Sequence, residues 1–238
     1  MVDKQASSDA ARIYAIGDIH GRLDLLERAV AAIERDIEEY GPAVLTVTLG
    51  DYVDRGPASC GVLERLASNP FPTPYVGLKG NHEAFMQAFL ADPGLGPQWR
   101  QLGGLETLHS YGISVGRFMF GRSYADAAKE LHEAMPMSHA SFLQSLKTSH
   151  SHGRYFLCHA GVRPGVPLDC QDEHDLLWIR NEFLDSDLDF GKIVVHGHTP
   201  GGQPVVKANR INIDTAAFAT GNLTCVALDE DGHRFLNV

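Results

Sequence analysis

At 238 residues the chain is long enough to bury one sizeable core, and 44% hydrophobic with 21% charged residues is the composition of an ordinary globular protein. A net charge of -10 argues against a general binder of nucleic acid or anionic membranes, and no apolar run approaches the ~20 residues that span a bilayer. The start, "MVDKQASSDAARIY", lacks the basic and apolar regions of a secretory signal, and Cys60, Cys158, Cys170 and Cys225 form no CxxC pair, so the reading is a cytoplasmic protein with reduced thiols.

In chain order, residues 1–10 read as a short disordered arm ahead of one domain over 11–238. "RIYAI" (12–16) is a β-rich run ending at glycine. "LDLLERAVAAIERDIEEY" places Leu25, Leu26, Ala29, Val30, Ile33 and Ile37 on one helical face, and "GP" stops it. "AVLTVTL" (43–49) predicts a second strand, "CGVLERLASN" (60–69) a helix and "TPYVGL" (73–78) a third strand. The segment 84–150 is helical in pattern but broken by "DPGLGP" and "YGISVGR", and reads as a helical insertion. Apolar runs return at "RYFLC", "KIVV" and "RINID", and "LTCVAL" and "HRFLNV" around "DEDG" predict a closing hairpin. The alternation implies an α/β fold with a largely parallel sheet covered by helices.

Five polar clusters each follow one of these β-like runs: "GDIHG" (17–21), "GDYVDRG" (50–56), "GNHE" (80–83), "HAG" (159–161) and "HGHTP" (196–200). Ligands in open α/β sheets bind beyond the carboxyl ends of the strands, so these loops should meet at one edge. Their donors are Asp18, His20, Asp51, Asn81, His159 and His198. Six N and O donors without a thiolate suit Mn, Fe, Zn, Co or Ni, and are too many for one tetrahedral ion but right for two ions sharing a bridging carboxylate. "GDYVDRG" crowds two carboxylates that repel unless a cation intervenes; Asp51 can face the metals while Asp54 does something else.

"GDIHG", "GDYVDRG" and "GNHE", in that order, with "HAG" and "GHTP" downstream, resemble the metallophosphoesterases of the PPP-type phosphoprotein phosphatase family, nearest to the small bacterial and phage serine/threonine phosphatases. The resemblance spans about residues 12–228. It implies mixed β-sheet layers, a β-sandwich, flanked by helices, with the 84–150 segment as insertion. It also implies two divalent ions, Mn²⁺ first among them, with Asp18 and His20 on one, Asp51 bridging, and Asn81, His159 and His198 on the other. By the same resemblance Asp54, Arg55, His82 and Arg180 carry the catalytic roles, Arg180 being placed through "LLWIR" (176–180). Many metallophosphoesterases end the last motif as GHxH; Pro200 stands in that final position here, which leaves one metal with fewer protein ligands and room for waters.

These roles also make chemical sense unaided. Two divalent ions acidify a water for in-line attack on phosphorus. Arg55 and Arg180 can fork onto phosphoryl oxygens, His82 can protonate the leaving alkoxide, and Asp54 can orient His82. Plainer readings stand beside them. Asp and His can simply cap turns, Arg180 can pair with Glu173, Asp175 or Glu182, and Trp178 reads as core. "DEHD" (172–175) reads as a solvated loop, His196 as an ordinary strand-end residue, and the remaining histidines, "HSH" at 150–152 included, as surface or packing residues. The expected activity is hydrolysis of phosphoserine or phosphothreonine, with phosphotyrosine as a further substrate, in proteins or small phosphoesters. The alternatives are a symmetrical bis(5'-nucleosyl)-tetraphosphatase and a non-catalytic metal-binding scaffold. Neither nucleic acid nor membrane is an expected partner.

Overall fold

The computed structural model describes residues 11–115 and 123–238; the arm expected at 1–10 lies outside them. Chain order runs β1 (Ile13–Ile16), α1 (Leu23–Tyr40), β2 (Leu45–Thr48), α2 (Ser59–Ala67), β3 (Tyr75–Gly77) and α3 (Asn81–Ala91). The insertion supplies α4 (Gly96–Gln101), α5 (Gly104–Ser110), α6 (Tyr124–Ala134) and α7 (Met137–Ser145), and its end forms a strand that the sequence pattern did not reveal, β4 (Ser149–His152). Then come β5 (Tyr155–Cys158), α8 (Glu173–Trp178), α9 (Asn181–Leu184), β6 (Ile193–His196), β7 (Val205–Val206), β8 (Arg210–Asn212), α10 (Ala217–Thr220), β9 (Cys225–Leu228) and β10 (His233–Leu236).

The strands form two mixed sheets, ordered β10-β9-β1-β2-β3 and β4-β5-β6-β8-β7. In the first, β1, β2 and β3 run parallel out to the β3 edge, with antiparallel β9 and β10 on the other side; in the second, parallel β5, β6 and β8 are flanked by antiparallel β4 and β7. The mixed two-layer α/β sandwich that the family resemblance implies is what forms; the alternation alone implied a largely parallel sheet, and its parallel strands are divided between the two layers. Side-chain alternation explains the layering. Ile13 and Ala15 of β1 join Val47, Leu157, Val195, Ile211 and Val226 between the sheets. Tyr14 and Ile16 face the other way, packing with Leu25, Leu26, Ala29 and Ile33 of α1. The outer face of the second sheet is covered by α8 and α9 through Leu176 and Phe183. Strands buried on both faces read as continuous apolar runs, which is why their positions were legible.

"DEHD" is not a solvated loop. Asp172 caps α8 by accepting from the His174 backbone N–H at 2.8 Å, and Asp175 is buried against Arg163, its two oxygens each 2.5 Å from a guanidinium nitrogen.

Candidate dinuclear metal site

The parallel strands β1, β2, β3, β5 and β6 deliver the five polar loops to one edge of the sandwich, as the spacing predicted. The first two are laced together: the backbone N–H groups of Ile19 and His20 donate to the carbonyl of Asp51 at 3.0 and 2.7 Å, and Gly21 donates to Tyr52 at 2.8 Å. Such approach leaves no room for side chains. A Cβ on Gly56 would collide with the His20 carbonyl oxygen, and one on Gly197 with the Asp18 carboxylate. The backbone is also held in sparsely populated conformations, with positive φ at His20 (44°), Asp51 (52°), Asp54 (70°), Arg55 (68°) and His198 (65°). Non-glycine residues there cost of order 1–3 kcal/mol each and persist only where the surroundings overdetermine them.

Asp51 stands at the centre. Its Oδ1 lies 3.4 Å from His159 Nε2, and its Oδ2 lies 3.4 Å from His20 Nε2 and 3.8 Å from His82 Nε2. One carboxylate thus faces two separate donor groups, His20 with His82 and His159 with His198, the ligand atoms of each set lying within 4.8 Å of one another. Asn81 Oδ1 sits 2.9 Å from His159 Nε2 and 2.8 Å from His198 Nδ1, so these three side chains converge. Backbone carbonyls of Val53 and Leu49 take the Nδ1–H of His20 and His159, both at 2.9 Å, fixing the tautomer and turning each Nε2 into the site. Asp18 accepts from the His198 backbone N–H at 3.1 Å.

The electrostatics are those of a cation site. Burial holds the imidazoles neutral, pushing His20 down to about 3 and His198 down to about 2, and His159 is lowered for the same reason. Burial, with Asp214 and Asp51 beside it, raises Asp18, and burial also raises Asp214. Burial works against Asp51 too, but the imidazoles of His159, His82 and His20 outweigh it and hold that carboxyl below the usual range. Among the described residues His198 Nε2, like His196 Nε2, is buried without a hydrogen-bond partner. Neutral imidazoles, crowded carboxylates and an orphaned ring nitrogen fit two divalent ions sharing Asp51.

The candidate catalytic residues border this cluster. Asp54 Oδ2 accepts from His82 Nδ1 at 2.7 Å. Burial pulls the His82 pKa down, but Asp51 and the hydrogen bond to Asp54 more than offset it, so its pKa is raised. The Arg55 guanidinium spans His20 Nε2 and His82 Nε2, 3.1 Å from each, with the Phe218 ring 4.9 Å away. Arg180 is exposed and has no acidic partner among the described residues; Glu173 pairs with Lys79 and Asp175 with Arg163. Its contact is with Thr199 Oγ1, at 3.4 Å, next to His198. Trp178 is half-buried and turns its ring edge to His198, centroids 6.2 Å apart, so it lines the site instead of the core. His196 is fully buried at the end of β6, as a strand-end residue.

Several participants were given no role by the sequence patterns, although Glu83 closes the "GNHE" cluster. Glu83 is wholly buried and accepts four backbone N–H groups, from Gly80 (3.0 Å), Asp51 (2.8 Å), Tyr52 (2.7 Å) and Val53 (3.2 Å), tying the second loop to the third. Asp214 follows β8, the sixth parallel strand, and adds a third carboxylate beside Asp18 and Asp51. Trp99 and Thr107, from the insertion, hydrogen-bond Asp54. A surface cavity of about 760 Å³ along β4, lined by Lys147, His150, Lys192 and Phe156 among others, involves none of the candidate residues.

Residues 11–221 match the model of the calcineurin-like phosphoesterases. The chain belongs to that family. It is 25% identical over 222 residues to serine/threonine-protein phosphatase 2 of Escherichia coli, covering 89% of this chain and 90% of that one. It is 26% identical over 217 residues to serine/threonine-protein phosphatase 1 of Salmonella typhimurium, covering 89% of each. Among solved structures it superposes on a protein provisionally named a diadenosine tetraphosphatase, with a TM-score of 0.66 at 19% identity over 95% of this chain and 93% of that one, a likeness of fold. This calcineurin-like phosphoesterase is a phosphoester hydrolase.

Proposed function

We propose that this phosphoesterase removes phosphate from phosphoserine and phosphothreonine in proteins, working with two divalent ions, Mn²⁺ foremost. The observation that carries the reading is Asp51, whose two carboxylate oxygens face two distinct sets of neutral imidazoles. The relatives named as serine/threonine phosphatases, matched over about nine-tenths of their length, support the substrate class.

In this reading Asp18 and His20 hold one ion, Asn81, His159 and His198 hold the other, and Asp51 serves both. The ions supply Lewis acidity toward the phosphoryl oxygens and an acidified water. Arg55 and Arg180 bind the remaining phosphoryl oxygens, where a planar guanidinium offers paired donors. His82, turned by Asp54 so that its Nε2 faces the site, hands a proton to the leaving oxygen as the P–O bond breaks, a task worth typically 10²–10⁴-fold. Trp178 and Phe218 pack beside the site, against His198 and His20.

The test is a substrate panel with metal analysis on the purified protein. We expect two bound ions per chain, and turnover of a phosphoserine peptide and p-nitrophenyl phosphate well ahead of diadenosine tetraphosphate. Preferred cleavage of the dinucleotide would overturn the substrate class. Failure of the metal-loaded protein to cleave any phosphomonoester would overturn the whole reading.

A further inference from the structure

We propose that Trp99 and Thr107, on the helical insertion, are positioning residues for the proton donor, acting on His82 through Asp54. The inference rests on the reading of His82 as general acid.

Asp54 has no exposed surface, so each oxygen must find its partners inside the protein. Oδ2 accepts from His82 Nδ1 at 2.7 Å and from Trp99 Nε1 at 3.0 Å, and Oδ1 accepts from Thr107 Oγ1 at 2.7 Å. An indole N–H only donates, so Oδ2 acts as an acceptor toward it. The His82 nitrogen facing that same oxygen then carries a hydrogen, and Nε2 is left as the nitrogen that takes up and releases the catalytic proton. While His82 is neutral, the Arg55 guanidinium, also a pure donor and 3.1 Å from Nε2, fits the same tautomer.

Thr107 does more than hold the carboxylate. Its Oγ1 also accepts the Asp54 backbone N–H at 2.8 Å, and the carbonyl of Gly103, between α4 and α5, accepts the Arg55 N–H at 3.2 Å. The insertion therefore grips two successive residues whose φ angles are 70° and 68°. The Trp99 indole is itself immobilised against Phe89, centroids 4.5 Å apart. The 84–150 segment thus extends the His82–Asp54 pair outward by one further tier. When the P–O bond breaks, its electron pair goes to the leaving oxygen, which takes the Nε2 proton, and solvent later returns a proton to His82. Trp99 and Thr107 act through Asp54, holding its carboxylate aimed at His82 Nδ1.

Trp99→Phe keeps an aromatic ring in the same pocket but is smaller and lacks the N–H; Thr107→Val keeps the shape and removes the hydroxyl; Thr107→Ser restores the hydroxyl. Each is compared with wild type and His82→Asn, Mn²⁺-loaded, on a phosphoserine peptide and on 2,4-dinitrophenyl phosphate, whose leaving group needs no proton. Trp99→Phe and Thr107→Val are expected to lower kcat on the peptide about tenfold, with KM unchanged, and to cost less than about twofold on the aryl ester. Thr107→Ser should recover most of the rate, and Trp99→Phe should add no further loss in the His82→Asn background. Equal losses on both substrates, or loss of bound metal, would make the contacts merely structural and overturn the inference. If His82→Asn itself treats the two substrates alike, the proton-donor reading falls and takes this inference with it. If His82→Asn discriminates and the insertion variants do not, this inference alone falls.

Discussion

Two buried carboxylate clusters sit at different places in the fold, and the chain treats them in opposite ways. Asp36, on α1, is neutralised internally: Tyr14 donates to it at 2.7 Å, Arg234 lies 2.5 Å from one oxygen and Arg12 Nε 3.6 Å from the other. Asp18, Asp51 and Asp214 are crowded among neutral imidazoles, and no lysine or arginine forms an ion pair with them among the described residues. A buried charge must be paired or must bind an ion. The first cluster carries its own cations and holds structure together; the second leaves them to be supplied from outside.

The largest effect that would break this contrast is on activity. EDTA should abolish hydrolysis and Mn²⁺ restore it; a chelated protein that still turned over phosphoester would remove the distinction. Next comes Asp51→Asn, which should lower kcat/KM by roughly 10³-fold or more, beyond the 10–100-fold typical of residues that merely support ligands, with bound metal falling below two per chain. Glu83→Gln puts an amide donor against backbone N–H groups, so we expect about 2–4 kcal/mol of lost stability in urea unfolding and about 10–100-fold weaker metal binding by calorimetry.

Asp36→Asn sharpens the other side. Burial opposes ionisation of Asp36, but its bonds with Arg234, Tyr14 and Arg12 prevail and hold its pKa below the ordinary value. Its stabilisation is therefore complete above about pH 4, the unfolded carboxyl range, and is lost as pH falls through the folded value. Asn should cost about 1–3 kcal/mol at pH 7, flatten that acid-side slope in denaturation measured against pH, and leave metal content unchanged. The smallest effect belongs to Arg65→Ala, which breaks an exposed pair with Glu27 and should shift stability by less than about 0.5 kcal/mol in the same measurement.

What the sequence made legible was whatever sat directly after a strand. Asp18, Asp51, Asn81, His159 and His198 each follow an apolar run by one to three residues, so the strand pattern and the motif pointed to the same edge. Asp214 also follows a strand, but "RINID" lacks a second chemical signal beside it, and it passed as strand residue. Trp99 and Thr107 act from helices whose docking depends on tertiary packing, and a single Trp or Thr in a helical pattern carries no mark of the carboxylate it will meet. Trp178 was misread for a related reason: its apolar neighbours Leu176, Leu177 and Ile179 are buried, and only the turn of α8 brings the indole edge to His198.

The division of the strands into two layers has a mechanical corollary. Asp18, His20, Asp51 and Asn81 extend from one sheet, whereas His159 and His198 extend from the other, and an apolar seam lies between the sheets. An ion gripped by Asn81, His159 and His198 would rivet the two layers at their open rim. Loading the protein with metal should then slow amide exchange in β5 and β6 as much as in β1 and β2, although among the described residues no backbone–backbone hydrogen bond joins those strands across the seam.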